Sequence, residues 1–136
     1  LLDTNVLVAA IKNPRKQTHT LRLLVRIIED PNIRLVADEL LVEEMLRYAE
    51  LLRSPTAATI VAALLGKTSL VTVSQNYRTI CRAYVKTPNK ADVLHAAACL
   101  QTGAVMISND HHFNRVGDEE IIKVWSIADA VKNLHR

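Results

Sequence analysis

Four acidic side chains, Asp3, Glu44, Asp92 and Asp110, each interrupt a stretch that is otherwise apolar. One carboxylate in such a place is an accident of packing, whereas four that converge at one end of a sheet make a pocket for divalent cations. At 4 Å a like-charged pair costs about 4 kcal/mol at an effective dielectric of roughly 20, so the cluster must hold protons or hold metal. All-oxygen, carboxylate-rich coordination prefers Mg²⁺ or Mn²⁺ to zinc or copper. The chemistry of such a site is phosphodiester hydrolysis, in which one ion acidifies a water and a second stabilises the leaving oxygen of an in-line displacement.

Each acid also has a local explanation. On a helix running from Asp38 to Leu52, Glu39, Glu43, Arg47 and Glu50 form the polar face, while Glu44 falls beside Leu40, Tyr48 and Leu51 on the apolar side. Glu44 must therefore be paired, with Arg22 or Arg26 as candidates, or metal-bound. Asp92 is the third residue of a helix that Asn89 would cap, where it can complete a capping box. Asp3 could cap the helix that follows it, and Asp110 could stabilise a turn.

The elements that would carry these acids alternate. Leu1–Asp3 ends a strand, and Thr4–Lys12 turns into a short helix followed by the polar loop 13–17. Leu21–Ile28 is helical and stops at Asp30-Pro31, because proline disfavours a helical residue before it. Ile33–Ala37 is a strand. Helices then start at Asp38 and at Ser54-Pro55, the second ending near Gly66, and Leu70–Val73 is a β-branched strand. A helix from Ser74 to about Tyr84, a loop over 86–88, an Ala-rich helix from Asn89 to Thr102 closed by Gly103, and a strand Ala104–Ile107 follow. A last strand, Ile121–Val124, precedes a helix from about Ser126. Such alternation predicts a parallel sheet with helices on both faces, and ligands in such sheets bind at the carboxyl ends of strands. Asp3 and Asp110 both stand at carboxyl ends.

The 136 residues fit a single domain spanning 1–136. At 49% hydrophobic but only 4% aromatic, the core must be aliphatic, as suits helices packed on a parallel sheet. Cys81 and Cys99 lack metal-binding or redox spacing, which predicts buried reduced thiols and a cytoplasmic location. No apolar run is long enough to span a membrane. The net charge is +3, and the charge outside the four acids is more basic still, as an enzyme acting on a polyanion needs. Lys12, Arg15, Lys16, Arg22 and Arg26 are candidate phosphate contacts, though a solvated basic face explains them nearly as well.

Leu2-Asp3-Thr4-Asn5-Val6-Leu7, the helix bearing Glu44, Asp92-Val93-Leu94-His95-Ala96-Ala97, and Ser108-Asn109-Asp110 followed by Phe113 resemble the PIN-domain ribonucleases in order and spacing. The resemblance covers essentially the whole chain. It implies a three-layer α/β/α fold around a parallel five-stranded sheet ordered 3-2-1-4-5, which sets Asp3 beside Asp110. It also implies cleavage of single-stranded RNA with Mg²⁺ or Mn²⁺, with Asp3, Glu44, Asp92 and Asp110 as the metal-binding and catalytic quartet and Asn5 and Ser108 as supporting groups. Many relatives are toxins neutralised by an antitoxin protein, and many are homodimers. Asp38 stands where Ser or Thr is common in that family, and His112 where another acid is common.

The competing class is a catalytically inactive PIN-like module that binds RNA or a protein, which loss of a quartet member would favour. Asp110-His111-His112 also spells the signature of a different phosphoesterase family, but that family needs further acidic motifs and usually a second domain. His95 reads as a packed histidine with a satisfied hydrogen bond, or as a group that orients Asp92.

Overall fold

Side-chain caps set the starts of four of the described α-helices. The computed structural model describes residues 1–12, 19–87 and 89–134, so the expected loop at 13–17, with Arg15 and Lys16, and position 88 of the 86–88 loop lie outside the described residues. The described helices are α1 (Thr4–Ile11), α2 (His19–Glu29), α3 (Glu39–Leu52), α4 (Pro55–Lys67), α5 (Gln75–Arg82), α6 (Lys90–Thr102), α7 (Asn114–Asp118) and α8 (Ile127–Asn133). Asp38 caps α3 by accepting from the Leu41 amide at 3.0 Å, and Ser54 caps α4 from Ala57 with Pro55 in the first turn. Ser126 and Asp129 form a reciprocal capping box on α8. Gly103, at φ 73°, closes α6 in the left-handed region that glycine enters without steric cost.

The strands are short: β1 (Leu35–Ala37), β2 (Thr68–Leu70), β3 (Met106–Ile107) and β4 (Val124–Trp125). β1 pairs in parallel with β2, with Leu35 opposite Thr68, and β3 pairs in parallel with β4, with Met106 opposite Val124. The chain start contributes one parallel bridge, Leu2 opposite Ile107, sealed by the Asp3 amide donating to the Ile107 carbonyl at 3.0 Å. The α/β alternation and parallel pairing match the expectation. The continuous five-stranded sheet does not appear in these pairings, since no ladder bond among the described residues joins Leu1–Asp3 to β1. The first segment turns into α1 at Thr4, immediately after its bridge, and has little length left to pair on its other side. The expected strand at 121–124 is likewise displaced, because the Ile121 and Ile122 amides close a turn onto the Val116 carbonyl.

The core is aliphatic, as composition requires. Leu2, Leu7, Leu24, Leu41, Leu64, Met106 and Phe113 are fully buried. α6 is the most deeply set helix, buried from Ala91 to Cys99 except at Val93, and it packs on α3, α5 and β1. Its alanines allow that depth, and so carry Asp92 and His95 into the interior. Cys81 and Cys99 are buried free thiols, each pushed up to about 11 by burial. No described helix is long and apolar enough to cross a membrane.

Candidate active site

The four acids arrive from four different places and line one cleft of about 510 Å³. Asp3 lies between the first bridge and α1 and is only 6% exposed. Although it occupies the cap position of α1, its side chain makes no capping bond. It instead accepts from the Ser108 hydroxyl at 2.6 Å, and the same Ser108 oxygen accepts from the Asp110 amide at 3.0 Å. One hydroxyl at the end of β3 thus ties two quartet members together. The Asp110 side chain accepts from the His112 amide at 2.9 Å and from Asn5 Nδ2 at 3.4 Å. Asn5 and Ser108 thus each hydrogen-bond to an acid of the cleft.

Asp92 does not complete a capping box. The Asn89 amide donates to Thr87 Oγ1 at 3.2 Å, the Asn89 side chain accepts from Ala91, and the Asp92 carboxylate faces His112 Nδ1 at 3.2 Å. Glu44 is not paired with the arginines that the helical wheel suggested. Arg26 pairs with Asp30 at 3.1 Å, while Glu44 accepts from the Thr4 hydroxyl at 2.6 Å. Its second oxygen lies 3.6 Å from His95 Nε2, too long for a full hydrogen bond, so that contact acts mainly through charge.

His95 and Asp38, both 1% exposed, form a buried pair that the sequence did not announce, with Nδ1 to Oδ2 at 2.6 Å. One Asp38 oxygen caps α3 and the other holds the imidazole. A Ser or Thr at this position could cap equally well but would bring no charge. His95 thus faces Glu44 and not Asp92, and its ring is held by an ion pair. Burial would lower its pKa, but the contacts and charges of Asp38 and Glu44 raise it to about 10. The imidazolium is consequently present at neutral pH, donating to Asp38 and turning its second nitrogen toward Glu44.

Burial raises the carboxyls of Asp3 and Asp92, and the Asp110 charge raises both further, against the partial relief supplied by Ser108 and the two histidines. Burial would raise Glu44 as well, but His95 and Thr4 outweigh it and bring the carboxyl below its ordinary value. The cleft therefore crowds oxygen donors whose ionised forms repel one another. That donor set fits hard divalent cations, which would relieve the repulsion.

Sequence reasoning missed a second surface beside the cleft. Arg78 and Arg82 of α5, with Lys86 and Lys90, line a groove that shares Leu40 and Lys90 with the acidic cleft and, among the described residues, has no acid in its lining. The i,i+4 spacing of the two arginines on a predicted helix was the available signal. Tyr77 and Trp125 are half-buried against the core, and exposed Asp118 ends α7 before an exposed turn at Glu119 and Glu120.

A parallel α/β chain with an acidic cleft at its strand ends has the frame of a metal-dependent nuclease. The family model of the PIN domain matches residues 1–119, and the chain belongs to the PIN-domain family. Membership implies the α/β PIN-like fold and suggests a nuclease, generally acting on RNA, that uses divalent metal ions. No curated protein sequence matches the chain significantly.

Proposed function

We propose that the cleft is the active site of a divalent-metal-dependent endoribonuclease that hydrolyses phosphodiester bonds of single-stranded RNA. The reading is carried by one observation: four carboxylates from four separate segments line a single cleft, and two of them, Asp3 and Asp92, are raised by burial and by the Asp110 charge. In this reading Asp3, Glu44, Asp92 and Asp110 hold Mg²⁺ or Mn²⁺, within a PIN sheet completed in the order 3-2-1-4-5. Bound ions would activate water for in-line attack and stabilise the leaving oxygen.

The remaining work falls to the chain. Ser108 fixes the Asp3 carboxylate and Asn5 reaches Asp110, while Thr4 and His95 orient Glu44 from opposite sides. The acids repel a polyanion, so affinity must come from cations around them. Arg47 and Lys90 on the cleft wall, and the adjoining groove of Arg78, Arg82 and Lys86, supply these. Phosphates neutralised there would release counterions, giving salt-sensitive binding. A role as the toxin of a toxin-antitoxin pair, with an antitoxin protein as partner and a homodimer as the working unit, belongs to the same reading.

The test is cleavage of single-stranded RNA by the purified protein with Mn²⁺, compared with Asp3→Asn. The variant should lose more than about 100-fold, beyond the 10- to 100-fold typical of residues that only support a ligand. Equal background activity in both proteins would remove the enzyme reading and leave an inactive module that binds RNA or protein.

A further inference from the structure

We propose that His112 is itself a metal ligand, and that Nδ1 of His112 with the carboxylates of Asp92 and Asp110 makes a mixed nitrogen–oxygen position that favours first-row transition ions such as Mn²⁺ over Mg²⁺. This rests on the reading that the cleft holds divalent ions, and goes beyond it by assigning a donor outside the acidic quartet and an ion preference that follows from it.

The geometry comes first. His112 lines the cleft, and its Nδ1 lies 3.2 Å from Asp92 Oδ2 and 3.2 Å from Asp110 Oδ1. Two neighbouring ligands at right angles on one ion, each bound at 2.0–2.1 Å, stand about 3 Å apart. The imidazole nitrogen therefore already has, toward each carboxylate, the separation that adjacent ligands of a shared ion adopt. In the metal-free fold Nδ1 is hydrogen-bonded to Asp92 Oδ2, and an ion bound there would take that proton's place, leaving the ring's other proton on Nε2.

The ring is also held in place. The His112 amide donates to Asp110 Oδ1, and the single 3-10 turn His111–Phe113 is anchored by the fully buried Phe113. His111 is a poorer candidate: its side chain is 82% exposed and its Nδ1 lies 3.7 Å from Asp110. Donor atoms of Asp110, His111 and His112 nevertheless fall within 4.8 Å of one another, so His111 serves as the control.

Chemistry then sets the ion. Mg²⁺ binds oxygen almost exclusively and gives up its waters reluctantly, whereas imidazole nitrogen suits transition ions. An oxygen-only cleft discriminates weakly between Mg²⁺ and Mn²⁺. Replacing one oxygen by nitrogen tilts the choice.

Full-length protein titrated with Mn²⁺ and examined by pulsed electron paramagnetic resonance tests this directly. Wild type should show nitrogen-14 coupling from a directly bound imidazole. His112→Asn should lose that coupling while His111→Asn keeps it, with circular dichroism confirming that each variant is folded. Calorimetric titration of His112→Asp, which restores an oxygen donor, should reduce the ratio of Mn²⁺ to Mg²⁺ affinity by about tenfold. Mn²⁺ binding without nitrogen coupling, or coupling that survives in His112→Asn, overturns the ligand role and leaves the metal-dependent reading standing. Failure of wild type to bind Mn²⁺ at all overturns both.

Discussion

His95 and His112 each stand between two carboxylates, and the difference between them is burial. His95 is shut inside, 2.6 Å from Asp38 and 3.6 Å from Glu44. His112 keeps a third of its side chain in solvent and sits 3.2 Å from both Asp92 and Asp110. In the interior an ionised partner cannot be recovered from water once its mate is gone, so the inner pair acts as a fixed clamp. At the cleft wall water screens the charges, so the contacts of the outer ring are weak enough for its nitrogen to take an ion instead. The same residue type, similarly flanked, thus becomes scaffold in one place and a coordinating group in the other.

The sharpest way to break this contrast is truncation. His95→Ala should cost about 3–5 kcal/mol in urea unfolding, because it strands the buried Asp38 charge. His112→Ala should cost no more than about 1 kcal/mol. Similar losses would erase the distinction.

The second test uses pH. Because the folded-state pKa of His95 is raised from 6.5 to about 10, its contribution to stability is fully present below pH 6.5 and is lost as pH rises through about 10. The melting-temperature advantage of wild type over His95→Gln should therefore shrink across that interval. A constant difference would mean that the ring is not charged in the fold.

Metal provides a smaller effect at the outer site. Mn²⁺ at a hundred times its dissociation constant should stabilise wild type by about 2.7 kcal/mol, and Asp92→Asn should reduce that gain. An unchanged response would remove Asp92 from the ligand set.

The smallest expected change is in the protein without added metal. Asp3 has a raised carboxyl pKa, so its ionised form destabilises the fold near neutral pH and stability rises as pH falls through that pKa. Asp3→Asn should raise the metal-free melting temperature by a few degrees, for a gain of about 1 kcal/mol. The advantage should fade at low pH, where the wild-type carboxyl is protonated.

The carboxylates were legible in the sequence because each breaks an apolar pattern, and patterning reports where a side chain is taken, whatever it meets there. Glu44 could be separated from Glu43 by helical phase alone. Helix starts at Asp38, Ser54 and Asn89 were legible for a similar reason, since a cap is a local bond. Long-range partners were not. Asp38 already had a sufficient job as a cap, so nothing marked its second oxygen as the anchor of a histidine 57 positions away. Strand bounds were less legible because apolar β-branched runs report burial better than pairing, and Val73, expected in a strand, is buried beyond the end of β2. Among the basic residues, those of the first loop and α2 cluster in sequence, yet Arg26 is engaged by Asp30, while the groove cations are spread from α5 to α6 and meet only in space.

Asp38 has one further consequence, for how this chain can change. Serine would inherit the start of α3 but not the grip on His95, so a substitution that looks conservative at the cap would reach Glu44 without touching it. A change at this position would therefore be felt twice, as a buried imidazole without its counter-charge and as a loosened Glu44 in the cleft.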